Sequence, residues 1–157
     1  MAGSKRSAAA LVAAACVIAT PIVQRWEGTV LKTYPDPIGI LTSCTGHTGP
    51  ELKLGQRFTP EQCGATLTQD LQRHAEEVYR CTPTIFEKPK VAAAATSLAY
   101  NVGGSAYCKS TAARQFNAGN YRAGCAALGR FIYANGKILT GLVKRRSAEV
   151  NLCLEGL

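Results

Sequence analysis

Thr59-Pro60-Glu61-Gln62 constrains this chain more than any other stretch. A threonine hydroxyl can accept the amide N–H three residues on, a glutamine there can accept the threonine's own N–H, and proline fits the first helical turn. A helix therefore starts here. Cys63, Leu67, Leu71, Ala75 and Val78 recur every three or four residues, and Thr82-Pro83 stops the run. The spacing predicts a long helix over about 60–80, in the middle of the chain. The segments on either side of it must each pack against it.

The two flanks differ. Before the helix, Pro35 and Pro37 enclose Asp36, forbid helix and fix a tight turn. Ile38, Ile40 and Thr42 alternate with Gly39 and Leu41, which predicts a strand. Gly46, Gly49, Pro50 and Gly55 are turn residues, so a hairpin or third strand fits through Phe58. After the helix the pattern is helical. Pro89 to Asn101 is alanine-rich and stops at Gly103-Gly104, Thr111 to Asn117 is a short helix, and Asn120 caps another carrying Cys125, Leu128 and Phe131. Gly136 turns the chain, and Thr140 to Leu154 reads as a final helix with Leu142, Val143, Val150 and Cys153 on its apolar side. Lys144-Arg145-Arg146 reads as its solvated face. The class is α+β: a small antiparallel sheet lobe and a larger helical lobe joined by the bridging helix.

The N-terminus is a separate question. Lys5 and Arg6 precede eighteen uncharged residues, Ser7 to Gln24, of which seven are alanine. That length just reaches across a bilayer, and the positive flank would stay on the cytoplasmic side. Ser7, Thr20, Pro21 and Gln24 are polar or break helix, so such a segment gains little from lipid and could leave it. Cleavage after the alanines at 13–15, as in a signal peptide, is the competing reading, and a permanent anchor is a third. The division expected is 1–24 as this segment and 25–157 as one domain.

Eighteen Lys and Arg against ten Asp and Glu give +8, which suits a polyanionic partner. The basic residues are scattered, which favours a solvated basic surface over a nucleic-acid groove. Cys44, Cys63, Cys81, Cys108, Cys125 and Cys153 form no C-x-x-C or C-x-x-H, which argues against zinc. In an exported chain they read as three disulfides, with the pairing left open. Cys16 is the odd one, within the apolar segment.

Chemistry concentrates between Glu27 and His47. Glu27 ends a helix-compatible run at Gly28, Asp36 follows nine residues on, and Thr42 six after that. Two carboxylates held in different environments are what glycosidic cleavage needs. Taken singly, each residue has a bland reading: an exposed helix-end glutamate, a turn aspartate and a strand threonine. Their context is Trp26-Glu27-Gly28, then Tyr34-Pro35-Asp36-Pro37-Ile38-Gly39, then Gly46-His47-Thr48-Gly49. With Ser97 to Gly103 (S-L-A-Y-N-V-G) and Gly141 to Arg146 (G-L-V-K-R-R), this resembles the phage-type lysozymes, glycoside hydrolases related to the T-even phage lysozyme, over about residues 25–157. One departure stands at Ser43-Cys44, where that family often carries a glycine.

The resemblance implies a lysozyme-like fold and a phage endolysin that hydrolyses the β-1,4 bond between N-acetylmuramic acid and N-acetylglucosamine of peptidoglycan, with no metal or organic cofactor. Glu27 would be the general acid, Asp36 the carboxylate that orients or deprotonates water, and Thr42 the hydroxyl that holds it, with inversion at the anomeric carbon. His47 would pair with Asp70 as a structural contact near the site, direct base catalysis being the lesser alternative. Asn101 is placed in the sugar cleft, and Tyr100 beside it is a core or sugar-contacting aromatic. The family register faces Cys125 with Cys153, and Cys44 with Cys63 and Cys81 with Cys108 are conjectures for the remaining four. Some endolysins of this kind carry a signal-anchor-release segment, which implies export to the inner membrane through residues 7–24, release into the periplasm, and action as a monomer with no nucleic-acid partner. Cys16 would then reach an oxidising compartment beside the domain's disulfides, where it could act as a redox switch by exchange with the bond that holds Cys44. The rivals are a lytic transglycosylase of the same fold, in which Asp36 and Thr42 would be idle, and a disulfide-stabilised wall-binding module.

Overall fold

The computed structural model describes residues 6–157, so Lys5 lies outside the described residues. Ser7 caps the first helix, α1 (Ala8–Glu27), and Gly28 ends it at φ +69°, a left-handed value that suits glycine. Strands β1 (Val30–Pro35), β2 (Leu41–Cys44) and β3 (His47–Thr48) follow as an antiparallel sheet in chain order. Thr42 pairs with Tyr34 on one side and Thr48 on the other. Both halves of the capping box form at Thr59 and open α2 (Pro60–Cys81), the bridging helix. A 3₁₀ turn, Pro83–Glu87, leads to α3 (Pro89–Val102), α4 (Gly104–Cys108), α5 (Thr111–Asn117) and α6 (Tyr121–Leu128). The hairpin β4 (Tyr133–Ala134) and β5 (Lys137–Ile138) precedes α7 (Thr140–Glu155).

Three features depart from the pattern reading. Ile38 and Ile40 belong to a turn and are 80% and 48% exposed; the strand starts only at Leu41. Asp36 Oδ1 accepts the amides of Ile38 and Ile40 at 2.9 and 2.8 Å, which diverts those amides from a sheet ladder. Helix α1 runs on through Pro21 rather than stopping there. Ala19 and Val23, on either side of it, are fully buried, so packing outweighs the lost backbone bond. In α7, Arg145, Arg146 and Glu149 are buried while Val143 is exposed, so charge faces the interior and Lys144 alone of its basic triplet meets solvent.

The core surrounds α3. Val91 through Ala99 are all buried, as expected for a helix covered on every side. Its alanines leave room for α1, α2 and α7 to pack closely. Leu11, Val12 and Ala15 of α1 share a cluster with Ala92, Ala95 and Leu98, and Ala19 and Val23 meet Leu67, Leu71 and Ala93. Each large side chain so covered contributes roughly 1.5–3 kcal/mol. Nothing in α1 breaks at residue 24, and the helix carries straight into Glu27. Disulfides join Cys44 to Cys63, Cys81 to Cys108 and Cys125 to Cys153. The first ties the sheet to α2, the second ties α2 to α4, and the third ties α6 to α7.

Candidate active site

Glu27 is the last residue of α1, so its carboxylate leaves a rigid element where the helix stops at Gly28. Its side chain is 22% exposed, and Oε1 accepts Arg145 Nη1 at 2.6 Å. The other oxygen meets backbone: a Cβ on Gly46 would lie 3.2 Å from Oε2, and Gly46 has φ +74°. Glycine there satisfies both the turn and the close approach.

Arg145 divides its donors. Nε reaches Glu149 Oε1 at 3.3 Å and Nη2 the Ser97 carbonyl at 3.3 Å. Glu149 Oε1 also accepts the Ser97 hydroxyl at 2.6 Å, and its Oε2 lies 2.8 Å from Arg146 Nε. Burial pushes the Glu149 carboxyl up and the Arg146 guanidinium down from their ordinary ranges, and their mutual attraction opposes both shifts. Sequence reading missed this cluster. Its available signal was the spacing of Arg145 and Arg146 four and three residues before Glu149, where helical side chains meet.

Asp36 stands on the exposed turn between β1 and β2, with Oδ1 committed to its own backbone. The Thr42 hydroxyl, on buried β2, donates to the Ile40 carbonyl at 3.1 Å, which joins it to the same turn. His47 Nδ1 meets Asp70 at 2.7 Å and its Nε2 meets Glu51 at 2.6 Å, a second carboxylate that sequence reading did not name. Burial opposes the charged imidazole, but hydrogen bonds to Glu51 and Asp70 outweigh it and hold His47 above its usual range. Asn101 is exposed at the end of α3, and its Oδ1 accepts Arg146 Nη2 at 3.1 Å. Tyr100 is half-buried, and its hydroxyl donates to the Thr45 carbonyl at 2.5 Å. Cys16 is the unpaired cysteine, in a groove of about 610 Å³ between α1 and α2 beside Val12, Leu71 and Tyr79. Burial, aided by Glu76, pushes its thiol up to about 11.

This arrangement sets two half-buried carboxylates on either side of a small sheet, one held by distant segments and one by its own turn. The sequence profile of the family described as phage lysozyme matches residues 24–149. A SAR-endolysin of bacteriophage PS119 is 38% identical over 132 residues, 83% of this chain and 77% of that one. A SAR-endolysin of Enterobacteria phage P21 is also 38% identical over 132 residues, 83% and 78% of the two chains. Among solved structures, a P22 lysozyme variant superposes with TM-score 0.70 at 30% identity over 87% of this chain and 95% of its own. The active form of the P1 phage endolysin Lyz covers 98% of this chain and 97% of its own with TM-score 0.79; at 22% identity that likeness speaks for the fold alone.

Proposed function

The chain belongs to the phage lysozyme family, and from that premise we propose that Glu27 is the acid with which it cleaves the glycan strand. It is a glycoside hydrolase of the lysozyme type, an endolysin that acts on bacterial peptidoglycan. The bond cut is the β-1,4 linkage between N-acetylmuramic acid and N-acetylglucosamine. The observation that carries the assignment is the contrast between the two carboxylates. Glu27 is held by distant segments, with one oxygen on Arg145 and the other facing Gly46, whereas Asp36 is held by the amides of its own turn.

Glu27 protonates the glycosidic oxygen as the bond breaks. Asp36, oriented by two backbone amides on Oδ1, keeps Oδ2 for a water, and the Thr42 hydroxyl supports that water from the strand. Water attacks opposite the leaving group and gives up its proton to Asp36, so the anomeric configuration inverts, and this requires a carboxyl separation of roughly 6.5–9.5 Å. Asn101 offers its amide to the sugar. The test is clearance of cells with exposed peptidoglycan by wild type and Glu27→Gln, with product analysis. Reducing ends in the β-to-α inverted form are expected. Anhydro sugars would instead mark a transglycosylase.

Residues 7–24 carry the chain to the inner membrane and then leave it for the periplasm, where the enzyme acts as a monomer. Helix α1 is long and apolar enough to cross a bilayer, yet Leu11, Val12, Ala15, Ala19 and Val23 fill the folded core. Cleavage after the alanines at 13–15 would remove Leu11 and Val12 from that core, which favours release of the intact helix. Once α1 has docked, the raised Cys16 thiol is a poor nucleophile, so any exchange with Cys44–Cys63 precedes docking. Intact-mass measurement of the periplasmic protein distinguishes release from cleavage, and thiol mapping before and after release locates the exchange.

A further inference from the structure

We infer that Tyr100 is a positioning residue for Glu27, acting through the main chain of the turn between β2 and β3. The turn consists of Cys44, Thr45 and Gly46, between the paired residues Ser43 and His47. Cys44 and Gly46 both have left-handed φ, 53° and 74°, so this is a tight reversal with little room to relax. Gly46 faces Glu27 Oε2 so closely that a Cβ on it would lie 3.2 Å from that oxygen. The turn therefore forms one wall of the acid's pocket, and its place decides where that carboxylate can lie.

Several ties hold the turn and its flank. Cys44 is bonded to Cys63, His47 to Asp70, and the Thr45 hydroxyl lies 3.3 Å from that of Thr29. Among the described residues, Tyr100 supplies the side-chain bond from the helical lobe to a main-chain atom of the turn, at the Thr45 carbonyl. Tyr100 stands near the end of α3, the most deeply buried helix, and its ring lies against His74 of α2 with centroids 5.2 Å apart. Both lobes of the pocket are thus referred to one rigid phenol. Burial, and then the charges of Asp70 and Glu27, hold that phenol far above its usual range, so it remains a donor throughout the working pH. The path runs from α3 through the Tyr100 hydroxyl to Thr45, Gly46 and Glu27. A small displacement of a catalytic group costs rate far more than it costs binding.

This inference rests on Glu27 as the acid. The experiment uses the full chain, soluble peptidoglycan fragments, and the variants Tyr100→Phe, Gly46→Ala, their double and Glu27→Gln. Tyr100→Phe keeps the ring on His74 and removes only the hydroxyl. Its kcat should fall roughly tenfold to a hundredfold with KM within about twofold. The double variant should be no slower than Gly46→Ala, because both changes act on one contact. The inference is overturned by a Tyr100→Phe kcat within twofold of wild type, by a loss confined to KM, or by multiplying losses in the double. Should Tyr100→Phe fail to fold, Gly46→Ala with an unchanged kcat is enough to sink it. If Glu27→Gln retains activity within tenfold, the acid assignment itself fails; if Glu27→Gln is dead and Tyr100→Phe is normal, only the tether fails.

Discussion

Glu27 and Asp36 are nine residues apart, yet they occupy opposite kinds of surroundings. Glu27 is held by partners far along the chain: Arg145 from the last helix and Gly46 from the sheet, with Tyr100 behind the turn. Asp36 is held by its own neighbours, the amides of Ile38 and Ile40. In the roles proposed above, the acid is positioned by a pocket assembled from distant segments, and the water-orienting carboxylate by a fixed turn. The fold supplies the first by tertiary packing and the second by local chemistry.

The contrast breaks most completely if the buried charges behind Glu27 are unbalanced. Glu149→Leu leaves Arg145 and Arg146 buried without their shared carboxylate. It should cost roughly 3–5 kcal/mol, a melting point about ten degrees lower, measured by circular dichroism. A shift of under two degrees would mean that Arg145 and Arg146 find other partners. Glu27→Gln comes next. The amide keeps the shape of the side chain without the acid proton, so lysis should fall at least 10²-fold, near 3 kcal/mol of barrier, with the fold intact.

Asp36→Asn sharpens the comparison from the other side. The amide oxygen can still accept from Ile38 and Ile40, so the turn survives and only the water loses its carboxylate. The loss should be on the order of tenfold, less than at Glu27, and Asp36→Cys should retain part of the rate as its thiolate. Equal, total loss in Asp36→Asn and Glu27→Gln would make Asp36 an obligatory base. No loss at all in Asp36→Asn would favour a transglycosylase.

The smallest effect concerns the clamp beside the site. His47 is raised by Glu51 and Asp70 against the pull of burial, so its contribution is full below the unfolded value near 6.5 and fades as pH rises through the folded one. The hydrogen bond from His47 lowers Glu51, so that side of the clamp is present above the unfolded value near 4.5 and fades as pH falls through the folded one. Stability from this pair should therefore peak between about pH 4.5 and 6.5. Raising the pH to about 9 should lower the melting point by a few degrees in wild type and not in His47→Gln. A matching slope in both proteins would remove His47 as its source.

Much of the framework was legible in the chain. Thr59 and Gln62 announced the bridging helix, Gly28 and Gly103 stopped α1 and α3, and Pro35 with Pro37 forced the Asp36 turn. Those signals are local: each depends on a few neighbouring dihedrals or one hydrogen bond. The 3₁₀ turn, α4 and the β4–β5 hairpin were not legible, because elements this short carry fewer than two full periods, too few to establish a repeat. The α7 pattern misled for a different reason. Cys153 is buried and Val150 packs on the core as its apolar pattern suggested, but Val143 is exposed and Arg145, Arg146 and Glu149 share the interior.

By itself, then, the sequence determined where helices begin and end, where the chain must turn, and which two carboxylates are candidates for chemistry. Only the tertiary structure decided that α1, apolar enough for a bilayer, forms core with α3, since hydropathy ranks lipid and protein interior alike. Only it showed which charges go inside. A buried ion is tolerated when other groups satisfy it; beside the local Glu149, those groups here are Glu27, Ser97 and Asn101, between 45 and 118 residues from their arginine partners. No local pattern records such a separation, because the free energy that admits the charge arises only when the elements meet.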